Sequence, residues 1–147
     1  MSKRHKQPSN RGGRLKSVPA TTKIVDPARK PVNTPAISFQ YICQDKFCIK
    51  LCSHDQYRSL SDKLRIICNL DWNVIDSAPR TTHGYEKMPR KQLRATVPSQ
   101  IPADSEILVF RFGSGDHVGR LVGCRLGKRL YLLFVESTLN SLYNHGS

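Results

Sequence analysis

The chain has 147 residues, with 24 Lys and Arg against 11 Asp and Glu and a formal net charge of +13. That length suits one domain. No apolar run reaches the roughly 18 residues of a membrane span and no signal-peptide core is visible, which points away from a membrane or secreted protein and towards a soluble, cytoplasmic one.

The charge is uneven. Residues 1–36 carry nine Lys and Arg against one acid, Asp26, and so hold +8 of the total. Five prolines and Gly12-Gly13 interrupt this stretch, and no periodic apolar face runs through it. Such a segment buries too little surface to offset its ordering entropy, so residues 1–36 are expected to be a disordered basic tail and residues 37–147 a single α+β domain. A basic tail suits a polyanionic partner, because each cation placed on a phosphate releases counterions. The plainer reading is a solubilising terminus.

Ile37–Cys43 alternates in polarity, and Phe47–Leu51 alternates again after Gln44-Asp45, which predicts an N-terminal β-hairpin. Ser53 or Asp55 can cap a helix in which Tyr57, Leu60, Leu64, Ile67 and Cys68 recur at helical spacing. Asp71–Ser77 adds one or two turns with Trp72 and Ile75 facing the core, stopped by Pro79. A polar linker over 79–89 follows, then a strand over Gln92–Val97 closed by Pro98, then a strand over Glu106–Phe112. Gly113–Asp116 is a turn. The strands 118–126 and 129–136 are joined by Gly127-Lys128, with Gly at the first turn position as a type II′ hairpin prefers. This order predicts the hairpin and helices packed on a twisted antiparallel meander.

Five cysteines, an odd number with no C-x-x-C pair, read as reduced structural thiols, and no metal or cofactor site is expected. Gly113-Ser114-Gly115 precedes a strand instead of a helix, which is the wrong context for a nucleotide cradle.

Two constellations could carry chemistry. The Gly127-Lys128 turn sets a register in which Arg125 faces Leu130, and Arg111, Arg120, Arg125 and Arg129 lie on neighbouring strands. They either pair with Asp116, Glu106 and Glu136 or bind phosphate through their planar forks. The segment Arg80 to Lys87 gathers Arg80, His83, Tyr85, Glu86 and Lys87, with Gly84 permitting a tight turn, and Arg90, Lys91 and Arg94 follow. Cleavage of RNA by its own 2′-hydroxyl needs a base, an acid and cations around the phosphorane. His83, Glu86, Lys87, Arg120, Tyr143 and His145 are the catalytic candidates. Arg80, Arg90, Lys91, Arg94, Arg111, Arg125, Lys128 and Arg129 are the nucleic-acid-binding candidates. The alternative is an exposed charged loop and a frayed terminus.

Arg120-Leu121-Val122 and Leu130-Tyr131-Leu132-Leu133 resemble the closing strands of the RelE/ParE superfamily of small bacterial toxins. Tyr143 and His145 sit where ribonucleases of that family often place a Tyr or His. The resemblance covers residues 53–145 in element order; the long basic tail and the opening hairpin depart from it. It implies helices on a curved antiparallel sheet, endoribonuclease action on mRNA or at the ribosome, and an acidic antitoxin protein as partner. A non-catalytic nucleic-acid- or ribosome-binding module, and a subunit meeting an acidic protein partner, are the competing readings.

Overall fold

Ser53 and Gln56 start the longer helix together. The Ser53 hydroxyl accepts from Gln56 N at 3.2 Å, and Gln56 Oε1 accepts from Ser53 N at 2.8 Å, satisfying two donors that a helix start leaves orphaned. In the computed structural model, which describes residues 33–145, this helix is α1, His54–Cys68. A second cap, Asp71 accepting from Asn73 N at 2.8 Å, opens α2, Trp72–Ser77, which ends before Pro79. Leu60, Ile67, Trp72 and Ile75 are buried, as helical periodicity predicts.

The helices cover one face of a five-stranded sheet. Its strands are β1 (Ala36–Ser38), β2 (Glu86–Met88), β3 (Ile107–Phe112), β4 (Gly119–Leu126) and β5 (Arg129–Glu136), in the order β1-β5-β4-β3-β2. Pairing from β2 to β5 is antiparallel, whereas β1 lies parallel to β5, so the sheet is mixed and not a pure meander. The class is α+β.

The β4–β5 hairpin has the expected turn. Leu126 opposes Arg129 and Arg125 opposes Leu130. Gly127 takes φ +63° while Lys128 keeps a negative φ, the combination of a type II′ turn. The regular register then breaks. A bulge between Val122 and Gly123 sets Leu132 opposite Gly123 but Phe134 opposite Val122, leaving Leu133 as the extra residue. Leu130, Leu132 and Val135 pack toward the helices with Leu121, Leu108 and Phe110. Leu133 and Phe134 both pack on the other face with Val122, Cys124, Ile107 and Val109.

That second face is covered by irregular chain: Leu93, Ile101, Leu142 and Tyr143 are buried on it, with Tyr41 and Phe47 packed at its margin. Burial on both faces explains why β3 to β5 read as nearly continuous apolar runs.

Three expectations take another form. Where a hairpin was expected, only Ala36–Ser38 is strand, and Ile49–Leu51 is a 3₁₀ turn. The chain between them bonds the outer edge of β5 at the bulge, Cys43 N to Leu133 O at 2.7 Å and Val135 N to Phe47 O at 2.9 Å. The backbone groups of β5 are thereby satisfied without a second strand. Gln92–Val97 is not a strand either. Leu93, Ala95 and Val97 point into the second core, but the stretch lies over the sheet face, and the edge beside β3 is taken by Glu86–Met88. Pro89, which has no N–H for a ladder, separates the two. The folded unit also begins at Asn33, with Ala36 already in β1. The expectation of a disordered tail falls on residues 1–32, outside those described.

No helix among the described residues is long and apolar enough to cross a membrane. The cysteines at 43, 48, 52, 68 and 124 are free thiols, and burial pushes those of Cys52, Cys68 and Cys124 up.

Candidate functional site

Arg111 and Arg120 are directly opposed on β3 and β4, in the face away from the helices. Like charges in opposed positions destabilise a sheet unless something compensates them. Among the described residues neither guanidinium is within ion-pair distance of a carboxylate. Arg120 is 7% exposed, and its Nη1 donates only to Gly119 O at 3.0 Å. The Nε atoms of both arginines are buried without a partner.

The next strand adds Glu136, the register partner of Arg120 and wholly buried. Its carboxylate is engaged elsewhere. Oε2 accepts from Leu142 N at 2.9 Å and Tyr143 N at 3.4 Å, and Oε1 lies 2.6 Å from His145 Nε2. The segment after β5 is thus folded back onto the strand that precedes it. Asn140, at φ +66°, makes the turn, and its Oδ1 accepts from His145 N at 2.8 Å.

Arg94 closes the segment from outside. Its backbone N donates to Leu142 O at 2.8 Å, and its guanidinium donates to Asn140 O, Ser141 O and Asn144 Oδ1.

Tyr143 is 3% exposed and stacks against His145 with ring centroids 4.0 Å apart. Its hydroxyl donates to Glu86 Oε1 at 3.1 Å, and Glu86 Oε2 accepts from Arg80 at 2.7 Å. Burial, then the charge and hydrogen bond of Glu86, push the phenol well above its usual range, while Arg120 pulls the other way. Tyr143 therefore stays protonated at neutral pH and serves as a donor.

Glu86, Arg120, Tyr143 and His145 are accordingly brought to one end of one sheet face, joined by Arg80, Arg111 and Glu136. The other candidates lie elsewhere. His83 sits in the turn before β2 with Nδ1 buried and unpartnered, and makes no hydrogen bond to the cluster among the described residues. That turn needs Gly84, whose N donates to Pro79 O at 3.0 Å and where any Cβ would fall 2.0 Å from Ala78 O. Lys87 projects from the opposite face of β2 and pairs with Glu106 at 2.8 Å.

Arg125 bonds Asp76 at 3.2 Å and lies 4.0 Å over the Trp72 ring, which ties α2 to the sheet. Arg129 stacks over Tyr131 and donates to its hydroxyl at 3.2 Å. Lys128 is exposed at the hairpin turn. Arg90 donates to Pro102 O and, with Lys87 and Lys91, lines an open cavity of about 530 Å³. That cavity, which includes Met88 and Ile107, lies at the far end of β2 and β3 from Arg111. Among the described residues no three His, Cys, Asp or Glu side chains gather as a metal site.

Glu136 and Arg94 carry roles that sequence reading did not assign. The signal for Glu136 was slight, a single acid closing an apolar strand, and its face depends on the bulge. Compared with known proteins, the chain matches no family model, no curated relative and no solved structure.

Proposed function

We propose that this protein is an endoribonuclease that cleaves RNA through its own 2′-hydroxyl, with the face bearing Arg111, Arg120, Tyr143 and His145 as its active site. The observation that carries the reading is the opposed pair Arg111–Arg120, largely buried and without a carboxylate. A phosphodiester at the rim of this pair would supply the missing charge. His145 stands beside it as the proton-transfer group, and Tyr143, its one phenol proton committed to Glu86, supports the His145 ring. Glu86 orients Tyr143 and Arg80.

In the reaction the 2′-oxygen loses its proton to a base and attacks phosphorus. The P–O5′ bond breaks and the 5′-oxygen takes a proton, leaving a 2′,3′-cyclic phosphate and a 5′-hydroxyl. No redox change or cofactor is required. The toxin resemblance extends the reading to mRNA as substrate, in the cytoplasm, and to an acidic protein as neutralising partner. The basic tail over 1–36 is read as an electrostatic arm.

The test is incubation of the purified chain with single-stranded RNA in the presence of EDTA, with the new ends identified. Cyclic or 3′-phosphate ends that disappear in Arg120→Met support the reading. The exposed cations Lys91, Lys128 and Arg129 and the +8 tail favour a second reading, binding without cleavage. Salt-dependent RNA binding with every RNA left intact would select it.

A further inference from the structure

We infer that Glu136 is the positioning residue of this site: by accepting from His145 Nε2 it makes Nδ1 the atom that exchanges a proton with the substrate. The inference deepens the ribonuclease reading and rests on it for its functional consequence, though its structural core is independent of substrate.

Glu136 is 0% exposed, and a carboxylate in that setting must be fully hydrogen-bonded. Its three contacts divide unequally between its oxygens. Oε2 is held by two main-chain donors, Leu142 N and Tyr143 N, which cannot rotate away. Oε1 is left to face His145 Nε2 at 2.6 Å. An ionised carboxylate only accepts, so the imidazole must place a proton on Nε2. When the ring is neutral, Nδ1 then carries the lone pair and acts as a base; when the ring is charged, Nδ1 carries the transferable proton. Among the described residues Nδ1 has no partner that would compete for either role. The ring also packs on Tyr143 in a tilted contact, with centroids 4.0 Å apart. Charged and titratable groups around the pair come from every neighbouring element: Arg120 on β4, Arg111 on β3, Glu86 on β2, Arg94 and Tyr143.

Glu136→Gln separates positioning from packing, because it keeps the shape and changes one atom from acceptor to donor. The two main-chain N–H groups hold the amide oxygen in the place of Oε2. The amide NH₂ then faces His145 Nε2 and can only donate to it, so the neutral ring must move its proton to Nδ1. The variant keeps the fold, and the base loses its lone pair where the substrate meets it. A merely structural role would leave kcat unmoved by this exchange, which the kinetic arm reads.

The direct test is ¹⁵N NMR of the imidazole of His145, at a pH where the ring is neutral, in the intact chain and in Glu136→Gln. The expected result is an Nε2–H tautomer in the parent and an Nδ1–H tautomer in the variant. An Nδ1–H parent, or the same tautomer in both, overturns the inference whether or not the protein cleaves RNA.

The kinetic arm uses the parent, Glu136→Gln, His145→Ala and the double variant. We expect kcat for Glu136→Gln to fall by about 10²–10⁴-fold, the usual worth of a positioned proton-transfer group, with KM and the thermal midpoint little changed. In the His145→Ala background the second change should have no further effect, since two residues that act as a unit are not additive. Full additivity, or a loss confined to KM, overturns the assignment. Failure of the parent to cleave any RNA removes the ribonuclease reading, and the tautomer result still decides the role of Glu136.

Discussion

Arg120 and Glu136 face each other across β4 and β5 because Leu133 is one residue more than the pairing needs. Counting from the Leu126–Arg129 pair at the turn, an unbroken ladder would set Val135 opposite Arg120 and turn Glu136 toward the helices. The bulge reverses that phase, and a carboxylate that would have lain beside Gly119 and Phe112 instead closes the row Arg111–Arg120–Glu136.

The bulge rests on Gly123, where a Cβ would lie 2.8 Å from Tyr131 O and 2.9 Å from Leu130 Cδ1. Gly123→Ala should therefore destabilise the fold by about 1–3 kcal/mol, the usual cost of forcing extra volume into a packed strand pair. Urea unfolding followed by circular dichroism measures it. An unchanged midpoint would show that the ladder yields easily here.

The opposed arginines make a prediction of opposite sign. Arg111→Met keeps the aliphatic stem and removes one of two facing charges, so stability should rise by about 0.2–1 kcal/mol. RNA affinity should fall, and its dependence on salt should flatten by about one counterion. Chemical denaturation and binding isotherms at two salt concentrations give both quantities. A loss of stability would mean that the pair is compensated within the protein.

Arg94 stands outside the row but holds the segment that delivers Tyr143 and His145. Arg94→Ala should speed amide exchange at Tyr143 and His145 by roughly tenfold, taking the lower end of the 1.5–3 kcal/mol range for charge-assisted bonds because the side chain is exposed. Amides in β4 should keep their protection. Uniform acceleration across the sheet would indicate a global role for Arg94.

Tyr85 sets an alkaline limit. Burial, the hydrogen bond to Asp76 at 2.6 Å and the Asp76 charge raise its phenol from 10.0 to about 12, against a lowering influence from Arg125. A raised folded value means that its contribution is complete below pH 10 and is lost as pH climbs through about 12. Tyr85→Phe should therefore flatten the fall in stability over that window. Thermal midpoints at pH 9, 10 and 11 compare the two chains, and parallel curves would remove Tyr85 from the account.

Trp72 joins the layers: its ring is fully buried, its Nε1 donates to Lys128 O at 3.0 Å, and Arg125 covers its face. Trp72→Ala should cost about 3–5 kcal/mol, in the range for large aromatic truncations. Denaturant midpoints test this, and a cost below 1 kcal/mol would require the core to collapse around the gap.

What could be read in advance follows the range of the interactions involved. The cap at Ser53, the face of Leu60 and Ile67, and the turn at Gly127 are decided within a few residues, and all three were legible. The course of Phe39–Leu51 was not, because alternation alone does not say whether a strand pairs with its neighbour or with β5. The faces taken by Phe134 and Val135 are hidden for the same kind of reason. A bulge is settled by what packs on both sides of the sheet, and nothing in Leu-Leu-Phe-Val announces it. The meeting of Glu86, Arg120, Tyr143 and His145 could be guessed from residue types, but not the exclusion of Lys87, which depends on the face of β2 it takes, or of His83, held in the turn before that strand.

The fold-back of residues 140–145 also has a meaning in time. Every strand of the sheet precedes this segment in the chain, so the Arg111–Arg120 pair can form before residues 140–145 dock and bring the imidazole and phenol into place. Such an intermediate would carry the two facing cations without the carboxylate contact that anchors His145. The cluster would then be completed last, when Glu136 captures His145 and the amides of Leu142 and Tyr143.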